Sequence, residues 1–253
     1  MNKDEEKFLE HSLRLLTFTG EPLQIGKGIS IYQYKVKDIL SDNMYNANLF
    51  PFIITTDYFL KKDASIKTSL EGFFKIDEKT GKFKFEEGGI PLLTFLISGL
   101  KKFLKVDDVN ITVEKNIVLN KEFVINENNF EDIATMIAKI NGRERIKELI
   151  PPEHLTDAQR EVWIKTMTGR RKKAEKESLS MTDMVNVLIH FNGNYNYESV
   201  LNLTLLQLYN SFNVLMKRDK FDRYYQLYSS GQFEMKNHEE HWINAIRSNY
   251  KGN

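Results

Sequence analysis

The sequence predicts an α+β fold, with a small N-terminal module of β-hairpins around one buried helix and an all-helical C-terminal half. Three observations lead there. Short β-branched and aromatic runs bounded by glycine crowd the first 126 residues. One apolar stretch, Ile90 to Leu100, has the length of a buried helix. Beyond Asn126 the apolar spacing changes to three and four residues. The expected division is a mixed domain over 1–126 and a helical domain over 127–253, with a possible hinge at 169–180.

In chain order, Leu13–Phe18 and Ile29–Tyr34 read as strands flanked by Gly20, Pro22, Gly26 and Gly28. Val36–Phe59 reads as helix, with Pro51 a break or first-turn residue. Phe73–Phe85 alternates apolar and charged residues about Lys79–Thr80–Gly81, a hairpin pattern. Pro91–Lys105 is the buried helix. Ile111–Ile125 predicts a second hairpin, turning at Glu114–Asn116 or at Leu119–Lys121.

The next helix carries Phe130, Ile133, Ile137 and Ile140, opens at Asn128 or Asn129, and closes at Gly142. Thr156 with Gln159 predicts a capping box for a helix bearing Val162, Trp163 and Met167. Gly169–Glu177 is charged and reads as an exposed helix tail or a linker. Ser180 with Asp183 starts a helix through Met184, Leu188 and Phe191 that Gly193 stops. Thr204 with Gln207 caps another, whose Leu205, Leu208, Phe212 and Leu215 form a buried stripe. Lys220–Tyr228 and His238–Ile246 read as two further short helices.

Composition excludes several function classes. Lys and Arg number 36 against 35 Asp and Glu, for a net charge of +1, which argues against a dedicated nucleic-acid binder. Cysteine is absent, so no disulfide, thiolate metal site or cysteine nucleophile exists. The charged N-terminus lacks a signal-peptide core, and the most apolar stretch is about half of the roughly 20 residues a membrane crossing needs. A soluble, cytoplasmic protein is expected.

No constellation commits the chain to chemistry. His238–Glu239–Glu240–His241 has histidines at i, i+3, without the i, i+4 spacing of zinc proteases. Gly26–Lys27–Gly28 lacks the helix mouth of a phosphate loop and reads as a turn between strands. Asp107–Asp108 and Glu86–Glu87 are adjacent, so they diverge on any regular element. No catalytic residue, metal or cofactor is predicted. The dense basic cluster Arg170, Arg171, Lys172 and Lys173 is a candidate contact for a charged partner, diluted by Glu175 and Glu177. The aromatic series Tyr209, Phe212, Phe221, Tyr224, Tyr225, Tyr228 and Phe233 is expected to divide between core and interface.

Four stretches carry a resemblance. They are LRLLTFTGEPLQIGKGISIYQYKVKDIL, NNFEDIATMIAKINGR, SMTDMVNVLIHFNGNYNYESVLNLTLLQLYNSFNVL and the closing HWINAI. In order and spacing the chain resembles tail assembly chaperones from the tail-morphogenesis region of long-tailed phages and prophages of Gram-positive bacteria. The resemblance implies a non-enzymatic protein that binds the coiled-coil tape measure protein and helps tail tube subunits polymerise around it. Its partner-binding candidates are Met184, Leu188, Tyr209, Phe212, Met216, Tyr224 and Tyr225, apolar positions suited to a helix-in-groove contact. Self-association is compatible with the same surfaces. The alternatives are a head–tail or tail component that stays in the virion, and a phage protein holding nucleic acid through residues 170–173.

Overall fold

A computed structural model describes residues 11–13, 15–145, 152, 154–177, 179–192, 195–231 and 241–243. It is an α+β protein with a helical C-terminal half. The N-terminal stretch expected as a strand is instead helical over residues 11–13 and 15–19 (α1). Leucine favours helix as readily as any bulky residue. Gly20, at φ 69°, ends the helix, and its N–H donates to the Leu16 carbonyl at 2.8 Å. The strand that pairs with Ile29–Ile31 (β2) is Leu23–Gly26 (β1). Gly26, Lys27 and Gly28 all have positive φ, so this loop is a tight hairpin turn and not a phosphate cradle.

Val36–Phe59 folds as three helices, Val36–Leu40 (α2), Tyr45–Ile53 (α3) and Thr56–Leu60 (α4). Pro51 neither breaks nor starts one; it is buried inside α3. The breaks fall where side chains or extended backbone compete with the helix. Asp42 accepts from the Met44 amide at 2.9 Å, and Thr55 is extended. A short helix, Ser69–Phe73 (α5), follows, its Thr68 cap accepting from Glu71 N–H.

The expected hairpin over 73–85 is present as a narrow reversal, bridged at Ile76 and Phe83, with Gly81 at φ 67°. A further hairpin, Glu86–Glu87 (β3) with Ile90–Pro91 (β4), turns on Gly88–Gly89, both at positive φ. That Gly-Gly pair is the sequence signal for it. The buried helix spans Leu92–Leu104 (α6). In place of the single hairpin expected within 111–125, a turn forms at each of its two alternative positions, giving the antiparallel meander Val109–Ile111 (β5), Ile117–Leu119 (β6) and Phe123–Ile125 (β7). Lys115, Asn120 and Lys121 supply its positive-φ corners.

Helix α6 sits at the centre, with Leu92, Leu96, Leu100 and Phe103 at 0% exposure. The ring of Phe103 meets Tyr34, Tyr45 and Phe52 edge-on, each at 5.8 Å between centroids. Gly99 lets α3 come close: a Cβ there would overlap Asn48 O and lie 2.6 Å from the Phe52 ring. Phe130–Ile140 (α7) closes the other side of α3, its Phe130 meeting Phe73 at 5.8 Å. Past α7, Arg145 reaches back to donate to Ile54 O (2.6 Å) and Glu131 O (3.1 Å), and it pairs with the Glu131 carboxylate at 2.8 Å. These contacts join residues on both sides of Asn126 in one apolar cluster that runs from Leu16 to Leu215.

The C-terminal helices are Asp157–Glu177 (α8), Met181–Asn192 (α9), Tyr197–Leu201 (α10) and Leu205–Ser229 (α11). The three capping boxes read from the sequence are present: Thr156 with Gln159, Ser180 with Asp183, and Thr204 with Gln207. The Asn196–Ser199 box of α10 is hard to see in the sequence because asparagine and serine replace the usual pair. Residues 220–228 are not a separate helix. They extend α11, where Arg218–Asp222 and Asp219–Arg223 pair at i, i+4 across the expected junction. The expected stop at Gly193 and most of 238–246 lie outside the described residues.

One cap has a pH signature. The Asp183 carboxylate accepts from Ser180 Oγ at 2.6 Å and Ser180 N–H at 2.9 Å, which holds its pKa below the ordinary carboxylate value. A lowered pKa contributes stability above the unfolded value of about 4, and that stability is lost as pH falls. Asp183→Asn is therefore expected to lower the unfolding temperature at neutral pH and to converge on the native chain as the pH falls through the lowered pKa. Thermal melts across pH 2–7, compared pairwise, check it; a gap that stays constant refutes it.

Candidate interaction surface

Helix α11 has two unlike halves. Leu205, Leu208, Phe212 and Leu215 are buried, the first half packing on α9. From Met216 onward the same helix presents apolar groups outward: Met216 is 43% exposed, Tyr225 54%, Leu227 47% and Tyr228 49%. A packed first half thus runs on without a break into an open second half.

The expected partner-binding residues distribute accordingly. Leu188 on α9 and Phe212 on α11 belong to the protein's own core, which removes them from the surface open to a partner. Met184 and Tyr209 are half-buried. The Tyr209 ring lies against Gly142, where a Cβ would come within 2.7 Å of it, so Tyr209 helps to join α7 to α11. Met216, Tyr224 and Tyr225 remain at the surface, Tyr224 only partly. Tyr224 stacks on Tyr228 at 6.5 Å with planes 7° apart, and Phe221 contacts Tyr225 at 4.7 Å and His241 at 4.6 Å. The result is an aromatic face along the outer half of α11. Leu227 is exposed on another side of the helix, about 160° round from Tyr225, and has no sequence signal of its own, because one leucine does not stand out among this many aromatics.

The basic cluster is helical. Arg170, Lys172 and Lys173 are exposed on α8, and the Arg171 side chain lies outside the described residues. Helix α8 exposes apolar side chains as well, with Val162 at 65% and Ile164 at 41%. A shallow, mainly apolar groove of about 500 Å³ runs along it, lined by Leu155, Val162, Trp163, Thr166, Met167 and Arg170 among others. Its lining comes wholly from this helix and the residues just before it.

The titration shifts have structural causes. Burial pushes the Tyr45 hydroxyl far up as it donates to Asn141 Oδ1 at 2.6 Å. Burial lowers Lys102, which pairs with Asp42 and lies 5.1 Å from the centre of the Tyr34 ring. Hydrogen bonds from Ser65 and Lys84 hold Asp63 well below its usual value. A polar cleft of about 460 Å³ between α5 and the meander is lined by Glu71, Glu114, Asn116 and Asn126. Glu71 there accepts from the Lys67 amide and Glu114 from the Asn116 amide group, so these carboxylates serve turns. Among the described residues no group of three or more His, Asp or Glu is placed to hold a metal, and no helix is long and apolar enough to cross a membrane. Of the His238–His241 motif only His241 is described.

Residues 171–247 match the family model described as YomV second domain, a phage-derived family, and at that coarse level the chain fits a phage protein. The match takes in α9, α10 and all of α11. No curated protein and no solved structure matches the chain.

Proposed function

We propose that the chain is a non-enzymatic phage tail assembly protein, chaperone-like, that binds tape measure and tail tube proteins through helical apolar surfaces. The observation that carries this reading is the outer half of α11, where Met216, Tyr225, Leu227 and Tyr228 stand exposed within the segment similar to a phage-derived domain. Burying one such side chain is worth about 1.5–3 kcal/mol, so covering these side chains is a strong driving force for association. Tyrosine suits a surface that is alternately wet and covered, because its ring gains from burial while its hydroxyl tolerates water. A coiled-coil partner offers the matching geometry, an apolar stripe that packs against a helix face.

Pull-down of the tape measure and tube proteins encoded alongside tests the reading, and capture of at least one is expected. Tyr225→Asp combined with Tyr228→Asp is expected to weaken that capture more than about tenfold, as for hot-spot aromatics, with little change in thermal melting because both side chains are exposed. Capture of neither protein overturns the proposal. Mass spectrometry of finished particles then separates a chaperone, which is absent from them, from a virion component.

A further inference from the structure

The groove on α8 has a chemistry of its own, distinct from the aromatic face of α11. Thr166 follows Val162 by four residues, and Arg170 follows Thr166 by four; Met167 follows Trp163 by four. At about 100° per residue this spacing makes one seam down one side of the helix. The seam opens apolar, at Leu155 and Val162, and ends basic at Arg170. Lys173 lies three residues further, on the same side by that rotation. The helix as a whole carries seven basic and four acidic residues.

We propose that this seam docks an amphipathic partner helix whose apolar stripe is bordered by Glu or Asp, with Arg170 and Lys173 meeting those carboxylates. The proposal rests on the reading of the chain as a protein-binding assembly factor, and it names the chemistry of one partner segment. An apolar stripe alone would leave the partner's position along α8 free to slide. A basic pair at one end fixes register and direction, because a reversed helix would bring its acids against Leu155 and Val162.

Two other occupants fit less well. Single-stranded nucleic acid needs cations aligned along one track with several stacking rings. Here consecutive basic residues diverge by about 100°, and Trp163 is the one aromatic ring among the described residues that line the groove. A second copy of α8 would bring the same excess of cations to the seam.

Trp163 reports occupancy directly, since the chain's other tryptophan, Trp242, can be changed to phenylalanine. The full-length Trp242→Phe protein is titrated with a synthetic helical peptide carrying leucine at the seam positions and glutamate beside them. A peptide with lysine in place of glutamate serves as its counterpart. The expected result is a saturable blue shift of Trp163 emission with the glutamate peptide that weakens as salt rises. Lys173→Glu with Arg170→Glu is expected to reduce glutamate-peptide affinity by about tenfold or more and to favour the lysine peptide. Val162→Glu, at a 65% exposed site, is expected to abolish the shift while helix content is unchanged.

No shift, equal binding of both peptides, a shift produced instead by oligo(dT), or a Val162-dependent dimer in sedimentation would each overturn the proposal. The pull-down is independent. Captured tail proteins with a silent groove sink only this inference, and a binding groove without captured tail proteins sinks only the phage-tail assignment.

Discussion

Gly99→Ala is expected to destabilise the protein by roughly 2 kcal/mol or more, against the usual gain of about 1 kcal/mol for that change inside a helix. The sign reverses because of what the new methyl would meet. Gly99 lies on the face of α6 that crosses α3, and its Cβ would overlap the Asn48 carbonyl and approach the Phe52 ring to 2.6 Å. A flexible side chain could swing aside, but a helix backbone cannot, and α3 is held from behind by α7. Gly169 in α8 differs, because a methyl added there would meet nothing within 4 Å. Gly169→Ala is therefore expected to stabilise its helix by up to about 1 kcal/mol. Thermal unfolding of both variants is the test. A fall of about 4–8 °C is expected for Gly99→Ala, and a melt equal to or above the native one would show that α3 and α6 are not this close.

Phe103→Ala is expected to cost about 3–5 kcal/mol, the range for deleting a large buried ring. Phe103 has 0% exposure and is the common neighbour of Tyr34, Tyr45 and Phe52, so its loss removes three edge contacts as well as the buried area. The damage should extend beyond the hole. Tyr45 carries the buried hydrogen bond to Asn141, and Tyr34 donates to the Lys102 carbonyl at 2.6 Å. Both rings lean on Phe103, so their hydroxyls are expected to lose their geometry with it. Phe103→Leu keeps most of the volume and should cost clearly less. Denaturant titration of the pair distinguishes a packing hub from a replaceable ring: equal losses would contradict the hub.

Legibility in the sequence follows the range of the interaction. The capping boxes at Thr156, Ser180 and Thr204 can be read because each is made by two residues three apart. The meander can be read because Lys115, Asn120 and Lys121 sit in polar breaks between β-branched runs. Leu13–Phe18 misleads because a short apolar run has no period of its own, and what decides its fate is burial of Leu16 and the bond from Gln33 to the Leu16 carbonyl. The Arg145 clamp on Ile54 joins residues 91 apart and leaves no local trace. The interaction surface is half legible for the same reason. Leu208, Phe212 and Leu215 recur at four and three residues on one stripe of α11, whose first half packs on α9, whereas Tyr225 follows Leu215 by ten residues, about 80° off that stripe, and stays exposed.

The bridge between Lys35 and Thr204, with the Val36 amide donating to the Leu203 carbonyl at 2.9 Å, sets a timetable for synthesis. The early chain waits for a partner that the ribosome has yet to make. At about 5–20 residues per second, residue 204 follows residue 35 by roughly 10–30 s. Throughout that interval Val36 and its neighbours lack their cover, so nascent chains and C-terminally truncated products are expected to be clients of the host's folding machinery and prone to aggregate. That shelter would be needed until Thr204 and the helix it caps have emerged.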